Sequence, residues 1–269
     1  MTSAPLLKWP GGKRKLVESI LPVMPESFGS YFEPFFGGGA LFFAIKPKRS
    51  LLSDKNVELM RAYSQVRDEP EAVIKALRGM RNSESDYYRI RSSRPKGEVA
   101  CAARLIYLTT LAFNGIYRVN LNGEFNVPYG QKKHLVPCDE VRIREASRLL
   151  AGATLAHDDF ESALGKATKG DLVYLDPPYT VAHQNNGFIK YNAKIFSWDD
   201  QVRLADVARD LSGRGCTVVV SNADHLSIRR LYKGFSMASI ERNSVIAASS
   251  SFRSRITECL FYRRGVHQC

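Results

Sequence analysis

Hydrophobic and polar positions change their spacing several times along the chain, and each change marks an element. In KLVESILPVM (15–24), Leu16, Val17, Ile20 and Leu21 share one face of a 3.6-residue period, and Pro22 and Pro25 mark where that helix ends. The short apolar segment SYFEPFF (30–36) runs into Gly37-Gly38-Gly39 and then ALFFAI, which predicts a strand, a glycine turn and a helix. RSLLSDKN (49–56) reads as a second short strand ending at Asp54. A strand, glycine turn, helix, strand and terminal acid in this order open a nucleotide-type α/β sheet.

From Val57 to about Ala156 the pattern turns helical, through VELMRAYSQV, EAVIKALRGM and EVACAARLIYLTTLAF. These lead into FNGIYRVNLNGEFNVPYG, where Asn122-Gly123 between strand-like flanks predicts a hairpin. Alternation then resumes with DLVYLD (171–176), a helix over WDDQVRLADVARDLS, the strand CTVVVSN (216–222), and two late strands, FSMASIER and ITECLFYRR. Ser197 lies three residues before Asp200, the spacing of a capping box. The expected fold class is α/β: one sheet domain built from 1–56 and 157–269, interrupted by a mostly helical insertion over 57–156 that carries the hairpin.

Composition narrows the class. The chain has 269 residues, 44% hydrophobic and 10% aromatic, enough to bury a core, so disorder is excluded as the default state. No apolar run approaches the roughly 18–20 residues of a membrane span, and MTSAPLLKWPGGKRK lacks the pattern of a signal peptide, so no membrane partner and a cytoplasmic location are expected. The five cysteines show no CxxC spacing and the five histidines no HxxxH or HxH pair, so neither disulfides nor a metal site are expected. The net charge is +12, spread as +4 over 1–56, +5 over 57–150 and +3 over 151–269. Its densest run, Lys75 to Gly97, holds Lys75, Arg78, Arg81, Arg89, Arg91, Arg94 and Lys96 against Glu84 and Asp86. That run fits the footprint of a polyanion binder and equally a solvated helix face; charge alone leaves both readings open.

Asp176-Pro177-Pro178-Tyr179, directly after the apolar strand DLVYL, is the most specific string. Two prolines fix φ and remove two backbone donors, leaving carbonyl acceptors on a stiff turn. One carboxylate and one proline carbonyl there can accept both hydrogens of an amino group, while Tyr179 offers a flat face for a base. This suits the exocyclic amine of a nucleobase, whose lone pair is conjugated into the ring; the bland alternative is a Pro-Pro turn capping a strand. Glu33-Pro34-Phe35-Phe36-Gly37-Gly38-Gly39, with Asp54 seventeen positions after Gly37, allows close backbone approach to a ligand and an acid for ribose hydroxyls, or a tight structural turn. Lys8-Trp9-Pro10-Gly11-Gly12-Lys13 is not a phosphate loop, because Arg14 stands where Ser or Thr is required. Lys13 remains suited to bind a carboxylate.

Taken together, KWPGGK, FEPFFGGGA, SDKN, a basic insertion and DPPY resemble the Dam-type (class alpha, D12) DNA adenine N6-methyltransferase family over nearly the whole chain. Phe188, Tyr191, Phe196 and Asp200-Gln201 also fall where that family has its F..Y....F...DQ pattern, and FNGIYRVNLNGEFNVPYG resembles its NG..R.N..GEFNVPFG segment. Gly38 stands where the family more often has Ala or Ser, and Gln131-Lys132-Lys133-His134 departs from the usual continuation.

The resemblance implies an S-adenosylmethionine-dependent (Rossmann-like) methyltransferase sheet and methyl transfer to N6 of a flipped adenine in duplex DNA, with GATC the leading site. It implies cofactor contacts from Trp9, Lys13, Phe35, Gly37, Gly39, Asp54 and Asp176, with Asp159 in HDDF as a further candidate for the cofactor's adenine. Asp176, Pro177, Pro178 and Tyr179 would form the catalytic turn, Tyr179 stacking on the extruded base. Asn114, Ile116 and Arg118, and with them Asn120, Lys132 and Lys133, would meet DNA. Double-stranded DNA is the expected partner, a monomer the expected solution state, and a cognate restriction endonuclease an open one. Cytosine-N4 or RNA amine methylation and a catalytically silent DNA-binding protein are the competing readings; Asp176, where cytosine enzymes typically show Ser, speaks against the first.

Overall fold

The computed structural model describes residues 5–180, 196–243 and 255–265. Phe188 and Tyr191 lie outside the described residues. Seven strands form one sheet: β1 (Tyr31–Glu33), β2 (Ser50–Ser53), β3 (Ala153–Ala156), β4 (Leu172–Leu175), β5 (Thr217–Ala223), β6 (Ser236–Asn243) and β7 (Arg255–Arg263). Their spatial order is β3-β2-β1-β4-β5-β7-β6. β1, β4 and β5 run parallel, with Tyr31 opposite Leu172 and Val173 opposite Val218, whereas β7 is antiparallel to both β5 and β6. This mixed α/β sheet fits the methyltransferase sheet that the resemblance implied.

By contact density the chain divides into two compact units: residues 1–14, 36–48 and 52–158 in one, and residues 15–35, 49–51 and 159–269 in the other. The first holds the whole of 57–156 together with the glycine turn and Asp54. Its helices are α2 (Ala40–Ile45), α3 (Val57–Asp68), α4 (Pro70–Arg78), α5 (Glu84–Ser92), α6 (Glu98–Leu111) and α7 (Glu140–Leu150). α6 is the central one: Ala102, Ala103, Leu105, Ile106, Tyr107, Leu108 and Leu111 are all buried, and α3, α4 and α5 pack on it. α3, α5 and α7 each start on a polar cap, Asn56 accepting from the Leu59 amide, Ser83 from Asp86 and Asp139 from Arg142, whereas α4 opens on Pro70 without a side-chain cap.

The second unit holds α1 (Val17–Ile20), α8 (Phe160–Leu164), α9 (Trp198–Gly213) and α10 (Leu226–Leu231). One face of the sheet presents Phe32, Val173, Leu175, Val218, Val220 and Phe261 to Phe160, Leu164, Leu204, Ala205, Ala208 and Leu211 of α8 and α9. The strand period of two sends Tyr31, Glu33 and Tyr174 to the other face. Ser197 and Asp200 form the capping box their spacing predicts.

Several sequence expectations are corrected. The helix over 15–24 is one α-helical turn followed by a 3-10 turn over Leu21–Val23, because Pro22 enters at once, and Leu21 is exposed. α5, α7, β3, α8 and α10 carry no expectation: they are short, or, like α5 with only Tyr87 and Ile90 buried, too polar for a clear stripe. The hairpin exists as connectivity without continuous strands, joined by isolated bridges at Ala112–Tyr129 and Val119–Phe125. The basic run 75–97 is largely neutralised. Arg78 pairs with Glu140, Arg81 and Arg89 with Asp86, and Arg94 with Glu124, while Arg91 donates to the Val127 carbonyl and lies over the Tyr88 ring.

Candidate active site

In the first unit the glycine turn is built by Phe36, whose amide donates to Ser53 O (2.9 Å) and whose carbonyl accepts from the Gly39 amide (2.7 Å). Gly37 (φ +48°) and Gly39 (φ +64°) both lie in the left-handed region, and a Cβ on Gly39 would come within 2.6 Å of the Phe36 ring. Asp54, one residue beyond β2, accepts from the Gly37 amide on Oδ2 and from the Asn56 amide on Oδ1, both at 2.9 Å. Burial raises its carboxyl above the ordinary range, against the opposing pull of the Asn56 and Gly37 N–H groups and of His157. The Tyr63 hydroxyl donates to Gly37 O (3.2 Å). Lys13 is buried, at 5% exposure.

Trp9 connects this turn to the irregular hairpin. A Cβ on Gly37 would lie 3.0 Å from its ring, and the indole stacks on Tyr117 with centroids 4.5 Å apart and planes at 21°. Tyr117 in turn donates to Glu58 Oε2 on α3 (2.9 Å).

Two Asn-Gly pairs shape the hairpin differently. Asn114 (φ +56°) and Gly115 (φ +65°) are both left-handed, as a type I′ turn requires, whereas of the second pair only Gly123 (φ +75°) is. At that second turn Asn120 Oδ1 accepts from the Asn122 and Glu124 amides, so Asn120 builds the tip. Arg118 is exposed but braced, its Nε donating to Asn126 Oδ1 (2.8 Å). Asn114 and Lys133 are exposed, Ile116 and Lys132 half-buried, and Leu121 at the tip is 96% exposed. Burial and the neighbouring cations Lys132, Arg14 and Arg142 lower the Lys8 ammonium below the ordinary lysine range, so four positive charges gather here, of which Arg142 pairs with Asp139 (3.4 Å).

In the second unit β4 delivers the DPPY turn. Asp176 is half-buried and Pro177 buried. Gln201 on α9 donates from Nε2 to the Pro178 carbonyl (3.1 Å), and Asn222 on β5 donates to Gln201 Oε1 (3.0 Å). The Tyr179 hydroxyl donates to Glu258 Oε2 on β7 (2.8 Å) and lies 3.4 Å from Ser221 Oγ. Burial, followed by the negative charge of Asp176 and Glu33, pushes the neighbouring Tyr174 hydroxyl well above the ordinary tyrosine range. Phe35 packs against Phe160 and edge-on to Phe196. Asp159 caps α8 and receives a two-pronged contact from Arg203 (2.8 and 3.0 Å).

A buried strand thus ends in a carboxylate and two prolines locked by side chains from two other elements, and comparison with known proteins decides what that turn belongs to. A family model described as D12 class N6 adenine-specific DNA methyltransferase matches residues 9–246. The chain belongs to that D12 class. It is similar to the type II methyltransferase M1.LlaDCHI of Lactococcus lactis subsp. cremoris, 40% identical over 97% of this chain and 95% of the relative. It is also similar to DNA adenine methylases of Vibrio cholerae, at 33% identity over 94% of each chain, and of Escherichia coli K12, at 29% over 97% and 95%. As a D12-class enzyme it methylates adenine N6 in DNA, which sets aside the cytosine, RNA and silent readings. Among the described residues no helix is long and apolar enough to cross a membrane.

Sequence reasoning singled out these strings but not the side chains that the structure places against them. Gln201 lay in a quoted motif without a role. Glu258 had one available signal, an acid within the otherwise apolar strand ECLF. Tyr63, Tyr117, Ser221 and Asn222 had none, because ordinary strand and helix positions acquire partners only on folding.

Proposed function

We propose that the methyl donor is S-adenosylmethionine and the substrate duplex DNA, with the DPPY turn holding an extruded adenine. The observation carrying this reading is the locked turn itself. Gln201 at the Pro178 carbonyl holds the turn, and in this reading Asp176 and the Pro177 carbonyl accept the two hydrogens of the amine.

The first unit's donor set fits the cofactor. Each Asp54 oxygen accepts one backbone N–H and keeps a lone pair for a ribose hydroxyl. The glycine turn gives close backbone approach, Trp9 an aromatic wall and Lys13 a cation for the carboxylate. When bound, the cofactor supplies an electrophilic methyl group on a sulfonium centre. The Phe35 ring is packed among Phe160 and Phe196. Asp159 is taken up by Arg203 and the α8 cap, so no adenine contact is assigned to it.

Asp176 and Pro177 O take the two N–H bonds of the amine, drawing its lone pair out of ring conjugation and toward the methyl carbon. The Asp176 carboxylate would stabilise the positive charge that grows on N6 as the methyl group moves from sulfur to nitrogen, the S–C electron pair staying with the neutral thioether, and the surplus proton would then pass from N6 to solvent. Tyr179 stacks on the extruded base. Because β1 and β4 are adjacent and parallel while their connections diverge, their carboxyl ends mark a switch point, where α/β sheets bind ligands.

On the DNA side, Arg118 reads a base and Asn114 and Ile116 accompany it along the hairpin, while Lys8, Arg14, Lys132 and Lys133 hold phosphates. Asn120 acts through the turn it builds. The whole of 57–156 serves as the target-recognition insertion, working as a monomer. GATC is the site to try first, and a partner endonuclease remains a matter of genomic context.

Sequencing DNA from expressing cells by a method that detects N6-methyladenine tests this reading. Methylation at one defined motif, lost in Asp176→Ala, is expected. Modified DNA persisting in that variant would remove the assigned centre.

A further inference from the structure

Glu258 is 0% exposed, a carboxylate in the middle of β7, opposite Ala223 of β5. Burying a carboxylate is costly unless it gains strong hydrogen bonds, so an acid at an interior strand position calls for a specific partner. One partner is the Tyr179 phenol, whose hydroxyl donates to Oε2 at 2.8 Å. Ser221, from β5, adds a hydroxyl 3.4 Å from the same phenol oxygen. Both anchors sit on paired strands, β5 being hydrogen-bonded directly to β4, which carries the DPPY turn. The backbone of the turn is fixed separately, by Gln201 at the Pro178 carbonyl. With the backbone held at one end and the hydroxyl at the other, the first side-chain torsion and the axis of the ring are fixed; because a phenolic O–H prefers to lie in the ring plane, donation to Glu258 also biases rotation of the ring about that axis.

We propose that Glu258 is a positioning residue for methyl transfer: by holding the Tyr179 phenol it fixes the ring against which the target base stacks. The proposal rests on the reading of Tyr179 as the stacking platform. Misplacing a bound reactant by about 1 Å can slow a reaction roughly a hundredfold, so a ring free to swing lowers the rate of the chemical step while leaving binding in place.

The test is single-turnover methylation of a duplex at saturating DNA and cofactor, with cofactor and DNA affinities measured alongside. Tyr179→Phe keeps the ring and deletes the tether; Glu258→Ala deletes it from the other side; Glu258→Gln still offers an acceptor oxygen. Tyr179→Phe and Glu258→Ala are each expected to slow the chemical step about 10- to 100-fold with both affinities within about twofold of wild type. Glu258→Gln should restore most of the rate lost in Glu258→Ala, and the Phe/Ala double variant should be no slower than the slower single. A wild-type rate in Tyr179→Phe, multiplying effects in the double variant, or a rate loss that merely follows lost binding would each overturn the proposal. If Glu258→Ala does not fold, Tyr179→Phe and Glu258→Gln decide: the first slow with the second near normal supports the tether, and any other combination removes it. Tyr179→Ala separates the two layers. A normal rate there removes the stacking reading itself, whereas a slow Tyr179→Ala beside a normal Tyr179→Phe keeps stacking and removes only the role of Glu258.

Discussion

Asp54 shows how one residue's surroundings set its chemistry. Only the ionised carboxylate can accept hydroxyl hydrogens on both oxygens, and burial raises its pKa above the ordinary value near 4 despite two backbone N–H donors. A raised pKa means that acidification protonates this group before an ordinary carboxylate. Cofactor affinity, measured by titration calorimetry, is therefore expected to weaken as pH falls, at a higher pH than an ordinary aspartate would give; Asp54→Asn should be weak throughout and lose that dependence. Gly39 makes a structural prediction at the same scale. Its left-handed backbone alone makes alanine unfavourable by about 1–2 kcal/mol, and the Phe36 ring blocks the new Cβ. Denaturant unfolding of Gly39→Ala should show at least that loss.

At the scale of elements, the irregular hairpin divides its labour. Asn114-Gly115 reverses the chain, Asn120 and Gly123 shape the tip, and Asn126 braces Arg118. A braced guanidinium reads a base edge in a defined orientation, so Arg118→Ala should relax discrimination at one position by about 1–3 kcal/mol. Competition binding with single-substituted duplexes checks this; an equal loss on every sequence would make Arg118 a phosphate contact. The Trp9–Tyr117 stack ties the same hairpin to the glycine turn. Binding at either end that shifts the indole must be felt at the other, and equally in both directions. This predicts coupled binding of cofactor and duplex: the cofactor dissociation constant should differ with and without duplex, and Tyr117→Ala should bring that ratio closer to one.

Over the whole molecule, the sequence density of the +12 charge is a poor guide to where that charge is held in ion pairs. The run 75–97 is the densest in sequence but is spent on α4, α5 and α7 and on Glu124, exposed pairs of small individual worth. Positive charge also gathers around Lys8, where Lys132, Arg14 and Arg142 are close enough to lower its ammonium. Since each neutralised phosphate releases condensed counterions, Lys132→Ala and Lys133→Ala should each flatten the log–log dependence of DNA affinity on salt by about 0.9. Arg78→Ala, whose guanidinium already faces Glu140, should leave that slope unchanged.

By itself the sequence determined the sheet's opening, the DPPY and glycine strings, the capping box at Ser197 and the D12 class, because these depend on local spacing: strand period, turn chemistry and a motif order carried on contiguous residues. Short elements such as β3 and α8 stayed hidden because four or five residues hold too little periodicity to read. Tertiary structure alone decided which groups hold the motifs and which charges pair. Glu258 lies 79 positions from Tyr179, Glu140 62 from Arg78, and Tyr117 over a hundred from Trp9. Hydrogen bonds, ion pairs and ring stacking act over a few ångströms, and which distant residues come that close is set by the topology of the sheet and the packing of helices around α6.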